Sequence, residues 1–168
     1  MSSSNSELTA AVITVSDSCA GGTREDQSGP AVTNFLKEHG FDVIATNIVP
    51  DEQSEIQQVI LKLTATANLI VTTGGTGIAP RDVTPEATRM VCDRLIEGIL
   101  ERMRFEGAKK TPSAALSRGL CGVCGTSLVL NVPGSPKGAV ESLQAVIELL
   151  PHALRLLNGN TGHEERRQ

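Results

Sequence analysis

Aromatic side chains are almost missing from this 168-residue sequence, which has three Phe, no Tyr and no Trp. Platforms for single-stranded nucleic acid stack successive bases on such rings, so that class of partner is excluded. Any planar ligand has to be held by backbone, aliphatic or Arg contacts. An excess of positive charge is missing too. Fifteen Lys and Arg against nineteen Asp and Glu give a net charge of −4, with the signs interspersed. That balance argues against a nucleic-acid backbone or an anionic membrane as partner. No apolar run approaches the roughly 18 residues of a membrane span. The segment Met1–Glu7 has neither the cationic region nor the apolar core of a signal peptide. Four cysteines (Cys19, Cys92, Cys121, Cys124) are too few for a disulfide framework. These absences predict a cytoplasmic protein with reduced thiols.

What is present is the composition of an ordinary globular domain, with 39% apolar and 20% charged residues. The length predicts one domain, over residues 9–157, with a disordered tail at 1–8 and a flexible polar tail at 158–168. Apolar, β-branched runs at Thr9–Ser16, Asp42–Val49, Asn68–Thr73 and Ser127–Asn131 predict strands. Between them lie helical patterns. One starts near Pro30 and stops at Gly40. The next carries Ile56, Val59, Ile60 and Leu63 on one face. Thr84-Pro85-Glu86 has the cap, proline and acid of a helix start. Residues 98–116 are helical with a break at Pro112, and a last helix, with Val140, Leu143, Ile147 and Leu150, is interrupted at Pro151. Alternating strands and helices predict a single-domain, three-layer α/β/α fold with a mostly parallel central sheet. Ligands of such sheets bind outside the carboxyl ends of the strands. The loops there are Ser16-Asp17-Ser18, Val49–Glu52, Thr73–Asp82 and Asn131–Lys137, which gather glycines, hydroxyls and the carboxylates of Asp17, Asp51, Glu52 and Asp82.

Gly74-Gly75-Thr76-Gly77 leaves a strand directly, and its N–H groups can form an anion nest or simply a tight turn. It is neither a Walker A loop nor a dinucleotide fingerprint. Arg81-Asp82 just beyond it suits a phosphate with its Mg²⁺, and Asp51 offers a second carboxylate or a helix N-cap. Lys137 is a phosphate contact or a solvated lysine at a helix start. Cys121-Gly-Val-Cys124 is a lone pair without the further ligands that zinc needs, so it reads as two small buried side chains. His39, His152 and His163 sit at a helix end, at a proline break and in the polar tail, which gives no nucleophilic triad.

Thr72-Thr-Gly-Gly-Thr-Gly-Ile-Ala-Pro-Arg-Asp-Val-Thr-Pro-Glu-Ala87, with Val15–Ser18 and Ile48–Glu52, closely resembles the molybdopterin adenylyltransferase family, which includes the G domain of gephyrin. Leu116-Ser117-Arg118 and Asn131–Lys137 continue the match, which spans about residues 10–157. The resemblance implies transfer of AMP from Mg-ATP to the terminal phosphate of molybdopterin with release of pyrophosphate. It implies a homotrimer, and a separate molybdenum-insertion protein that receives the product. Carried over residue by residue, Asp51 and Asp82 are the catalytic, metal-holding aspartates. Thr73, Gly74, Gly75, Thr76, Gly77, Arg81, Pro133, Gly134 and Lys137 are nucleotide- or phosphate-binding. Ser16, Asp17, Ser18 and Ser117 are on the pterin side. The chain departs from the family at Cys124, where an Arg is usual, so no anion contact carries over there. A non-catalytic pterin-binding trimer and a nucleotide-processing enzyme of the deamidase-related branch are the competing readings.

Overall fold

Buried apolar strands form the centre of a six-stranded sheet whose order is β2-β1-β3-β6-β5-β4. The strands are β1 (Thr9–Val15), β2 (Asp42–Val49), β3 (Leu69–Thr73), β4 (Arg94–Leu95), β5 (Cys121–Cys124) and β6 (Ser127–Val132). The computed structural model describes residues 8–160. The expectations for Met1–Glu7 and for residues 161–168, His163 included, lie outside the described residues. Strands β1, β2, β3 and β6 run parallel, and β5 is antiparallel to both β6 and β4. Every residue of β3 and β6 is buried, the pattern of strands covered on both faces.

Helices α1 (Asp17–Ala20), α2 (Ser28–Glu38), α3 (Gln53–Leu63), α4 (Thr84–Val91), α5 (Glu97–Ala108), α6 (Pro136–Val146) and α7 (Leu150–Leu157) fill the outer layers, with a 3-10 turn at Pro112–Leu116. Val32 and Leu36 of α2, Leu100 of α5 and Leu143 of α6 pack on Val12, Val71 and Leu130. Ile56 and Ile60 of α3 and Ala87 of α4 pack on Ile13, Ile70 and Val129 across the sheet. Alternating residues of one strand therefore feed two cores, each full burial of a Leu or Ile contributing about 1.5–3 kcal/mol. Asn131 crosses between elements at full burial. Its Nδ2 donates to Thr72 Oγ1 (2.8 Å) and Thr88 Oγ1 (2.9 Å), and its Oδ1 accepts from Leu120 N (2.9 Å). With donors and acceptor satisfied, this buried amide ties β3 and α4 to the approach to β5.

The predicted α/β/α architecture is the observed one, with local differences. Ser16 ends β1 by capping α1, a one-turn helix where the sequence pattern shows only a loop; its Oγ accepts from Cys19 N at 3.2 Å. Val83 rather than Thr84 is the N-cap of α4, and Thr84 spends its hydroxyl on Gly74 O instead. The antiparallel β4–β5 pair is also absent from the sequence expectations, and with the β5–β6 hairpin it places Cys121 and Cys124. A strand alternates sides, so residues three apart point to opposite faces. Cys121 joins one core and Cys124 the other.

Candidate active site

The chain leaves β1 toward β2 on one side and enters β3 on the other, so the loops after β1 and β3 diverge at the sheet's carboxyl edge. Such a switch point is where open α/β sheets bind ligands. Gly74 and Gly75 hold the loop after β3 there in left-handed conformations, φ +104° and +67°. Neither position tolerates a side chain. A Cβ on Gly74 would lie 2.3 Å from the Val15 carbonyl oxygen, and one on Gly75 would lie 2.3 Å from Thr84 Oγ1. The two glycines thus let β1, β3 and α4 close on one another.

Asp17 and Asp51 are bonded reciprocally. Asp17 N donates to Asp51 Oδ2 (2.8 Å), and Asp51 N donates to Asp17 Oδ1 (2.9 Å). Arg81 grips Asp17 with both arms of its guanidinium, at 2.8 and 2.9 Å, and also reaches Glu52 Oε1 at 2.8 Å. The Arg81 hydrogen bonds hold the Asp17 carboxyl below the usual carboxylate range, and the same contacts raise the guanidinium's own pKa. Asp51 behaves oppositely. Partial burial, reinforced by the charges of Asp17 and Asp82, pushes its carboxyl up. Asp51 is not the N-cap of α3, a position held by Glu52. Asp82 accepts from Ala79 N at 3.0 Å through Oδ2. Each of the two aspartates thus has one oxygen tied to a backbone N–H. Asp51 Oδ1 faces the glycine loop, 3.1 Å from where a Gly75 Cβ would stand.

Two clefts meet at this point. One, of about 440 Å³, is lined by Gly75, Thr76, Gly77, Asp82 and the hydroxyls of Thr111, Ser113 and Ser117. The other, of about 350 Å³, is lined by Ser16, Arg24, Asp26, Asp51, Thr73 and Gly74. Gly75, Asp82, Gly134 and Ser135 line both. The expected residues therefore converge, but not as the groups expected. Ser16 and Ser117, both expected on the pterin side, face different clefts. Asp17, Ser18, Arg81 and Lys137 line neither, although Asp17 and Arg81 brace Asp51 from behind. Thr73 donates its hydroxyl to the Pro133 carbonyl (2.7 Å), which draws the Pro-Gly turn against the glycine loop.

Sequence reasoning missed two residues. Arg24, the one cation lining either cleft among the described residues, sits in a charge-rich loop that carries no motif. Arg118 appeared only as part of Leu-Ser-Arg, and its side chain reaches back across the loop after β3. Cys19 lines the smaller cleft, whereas Cys92, Cys121 and Cys124 line neither. Burial pushes Cys92 and Cys121 up to about 12 and raises Cys124 as well, so all three are protonated and unreactive near neutrality. Among the described residues, no group of three or more His, Cys, Asp or Glu could hold a metal ion by itself. Nor is any helix among them long and apolar enough to cross a membrane.

Residues 11–152 match the family described as "Probable molybdopterin binding domain". The chain belongs to this molybdopterin-binding family. A molybdopterin adenylyltransferase of Helicobacter pylori (strain J99) is 40% identical over 153 residues, covering 89% of this chain and 87% of that protein. The molybdenum cofactor synthesis protein cinnamon of Drosophila melanogaster is 44% identical over 153 residues, covering 89% of this chain. The match spans only 26% of cinnamon, about a quarter of its length. Among solved structures, the molybdopterin biosynthesis enzyme MoaB of Thermus thermophilus superposes with a TM-score of 0.86 at 49% identity, covering 90% of this chain and 97% of that one. Within this molybdopterin-binding family, the relatives named adenylyltransferases are nucleotidyltransferase enzymes.

Proposed function

We propose that this chain adenylylates molybdopterin, transferring AMP from Mg-ATP to the terminal phosphate and releasing pyrophosphate, as one step of molybdenum cofactor biosynthesis. The observation that carries this reading is the wall shared by the two clefts. A nucleotide in one and a phosphorylated acceptor in the other would bring their phosphates together beside Asp82, Gly75 and Gly134. Adenylyl transfer needs that meeting and little else. An acceptor phosphate oxygen forms a bond to the α-phosphorus, and the bond from that phosphorus to the β-phosphate oxygen breaks. No protein nucleophile is required, so positioning and neutralisation of charge account for the acceleration.

The donor set fits a hard divalent cation. Mg²⁺ is usually held by one or two carboxylates plus substrate phosphates, and Asp51 and Asp82 are two such carboxylates on adjoining loops. When bound, the ion would neutralise charge building on the phosphate oxygens. Asp51 and Asp82 would hold the cation, and N–H groups of the glycine loop beyond Gly74, whose own N–H donates to Val132 O at 3.1 Å, would meet the phosphate oxygens. Among the described residues, Arg24 is the one cation beside Glu25, Asp26, Asp51 and Asp82 in the smaller cleft, so a triphosphate there would need its divalent cation. Resemblance to family members supports a homotrimer and delivery of the product to an insertion protein; light scattering of the purified chain tests the first. The activity is tested by following pyrophosphate. It should form only when ATP, Mg²⁺ and molybdopterin are all present. Binding of molybdopterin without pyrophosphate would instead mark a non-catalytic binder.

A further inference from the structure

Arg118 stands between the 3-10 turn and β5, outside both clefts, yet it bonds to the loop after β3 at both ends of its irregular stretch. Its backbone N–H donates to Thr76 O at 2.8 Å. Its Nε donates to Gly77 O at 2.8 Å, its Nη2 to Asp82 O at 2.9 Å, and its Nη1 to the Glu86 carboxylate on α4. One planar group thus joins two carbonyls five positions apart in sequence and anchors both to the first turn of the following helix. The segment between them is irregular, and its internal bonds (Ala79 N to Asp82 Oδ2, Asp82 N to Ala79 O) form one small ring. Arg81, inside the ring, ties it to Asp17 and Glu52, but the bonds across to the segment carrying Ser117, which lines the same cleft as Asp82, are those of Arg118.

We infer that Arg118 is a positioning residue that straps the Gly77–Asp82 segment to the Ser117 wall and so sets the distance between the cation-holding carboxylate and the acceptor side. The inference rests on the adenylyl-transfer reading for its kinetic consequence, but the strap itself is a property of the loop. The absence of a side chain at Gly77 supports it. A Cβ there would stand 2.8 Å from Asp82 Oδ2, so the carboxylate is seated against bare backbone whose carbonyl Arg118 holds. Arginine is required because three directed donors must serve two carbonyls and a carboxylate at once. A lysine ammonium is a point charge at the end of a flexible stem and cannot span them. Glu86, held below the usual carboxylate range by its Arg118 hydrogen bond, fixes the outer end of the guanidinium.

The test uses the full chain with Arg118→Ala and Arg118→Lys, read by steady-state kinetics and by amide hydrogen exchange. Both variants should stay folded and lose turnover by about 100-fold, the loss that follows from misplacing reacting groups by about 1 Å. The KM for Mg-ATP should change far less than turnover. Added guanidinium chloride at millimolar concentration should restore activity to Arg118→Ala but not to Asp82→Asn. Exchange of the amides from Thr76 to Val83 should accelerate in Arg118→Ala while those of β1 stay protected. Wild-type-like turnover in Arg118→Lys, or a loss in Arg118→Ala that guanidinium does not relieve, would overturn the positioning role. If the wild-type chain forms no pyrophosphate, the adenylyl-transfer reading fails and hydrogen exchange alone decides. Faster exchange confined to 76–83 then upholds the strap, and unchanged exchange refutes it.

Discussion

Replacing Gly75 by alanine tests the geometry of the site without touching a charge. The left-handed backbone at φ +67° costs a non-glycine residue about 1–2 kcal/mol. The new Cβ would fall 2.3 Å from Thr84 Oγ1, in a residue with no exposed surface whose hydroxyl donates to Gly74 O at 2.9 Å. Thr84 has to yield, and a buried carbonyl left unpaired costs a further 1–3 kcal/mol or so. The expected destabilisation is about 2–5 kcal/mol, which for a chain of this size lowers Tm by roughly 4–20 °C. Asp51 Oδ1, 3.1 Å from the same Cβ, would be displaced too, so pyrophosphate formation should fall in the fraction that remains folded. Urea denaturation followed by circular dichroism measures the loss. Gly98→Ala is the control, because a Cβ in that first turn of α5 meets nothing and alanine is the better helix former, by up to about 1 kcal/mol. A Gly75→Ala loss below about 0.5 kcal/mol, the size of a neutral surface change, would refute the reasoning.

Asp82→Asn keeps the shape of the side chain but removes the charge opposite a cation. Turnover at saturating Mg-ATP should drop by about 100-fold or more, equivalent to at least ~2.7 kcal/mol, while molybdopterin binding changes little; retention of half the activity would refute it. Asp17→Asn should destabilise the protein at neutral pH and Asp51→Asn should not. The lowered Asp17 pKa contributes stability above its ordinary value of 3.8 that is lost as pH falls through the folded value, so Asp17→Asn destabilises at pH 7. The raised Asp51 pKa makes ionisation cost stability once pH exceeds that range, so Asp51→Asn is neutral or stabilising at pH 7. Denaturation midpoints of both variants should move toward wild type as the pH falls and the carboxyls protonate; destabilisation by both variants at pH 7 would contradict the assignment. Cys121→Ala with Cys124→Ala should leave turnover near wild type, with a packing loss of about 1 kcal/mol per site. In the native protein Cys121 should resist iodoacetamide that labels it in denaturant.

The strands that form the centre of the sheet were legible because each is a continuous apolar run bounded by turn residues. α3 was legible because Ile56, Ile60 and Leu63 recur at helical spacing and are the residues it buries. The antiparallel pairing of β4 with β5 was not, for two reasons. Arg94–Leu95 is too short to carry a period, and Cys121–Cys124 draws attention as a thiol motif when its alternation is what matters. Asp51, Asp82 and the glycine loop could be found by their place after strands. The roles of Arg81 and Arg118 could not, since a guanidinium reaching back across 64 or 41 residues leaves no local signal. The same holds for Asn131, whose partners lie 59 and 43 positions away.

Strand order also bears on how the molecule comes together. Pairing of β1 with β3 and of β3 with β6 joins distant parts of the chain, Ala10 with Leu69 and Leu69 with Leu128, while β1 and β2 are linked through α1 and α2 alone. Closing such long loops is entropically slow, so the chain should fold more slowly than a helical bundle of equal size. The segment from Thr9 to Val91 contains β1, β2 and β3 together with Asp51, Gly75, Arg81 and Asp82, whereas Ser117 and Gly134 arrive with the remainder. A chain emerging from the ribosome therefore presents both carboxylates before the opposite wall of the larger cleft exists. Until β6 docks against β3, the half-built sheet has an open edge beside those carboxylates, and that interval is when the nascent protein is most exposed to mispairing.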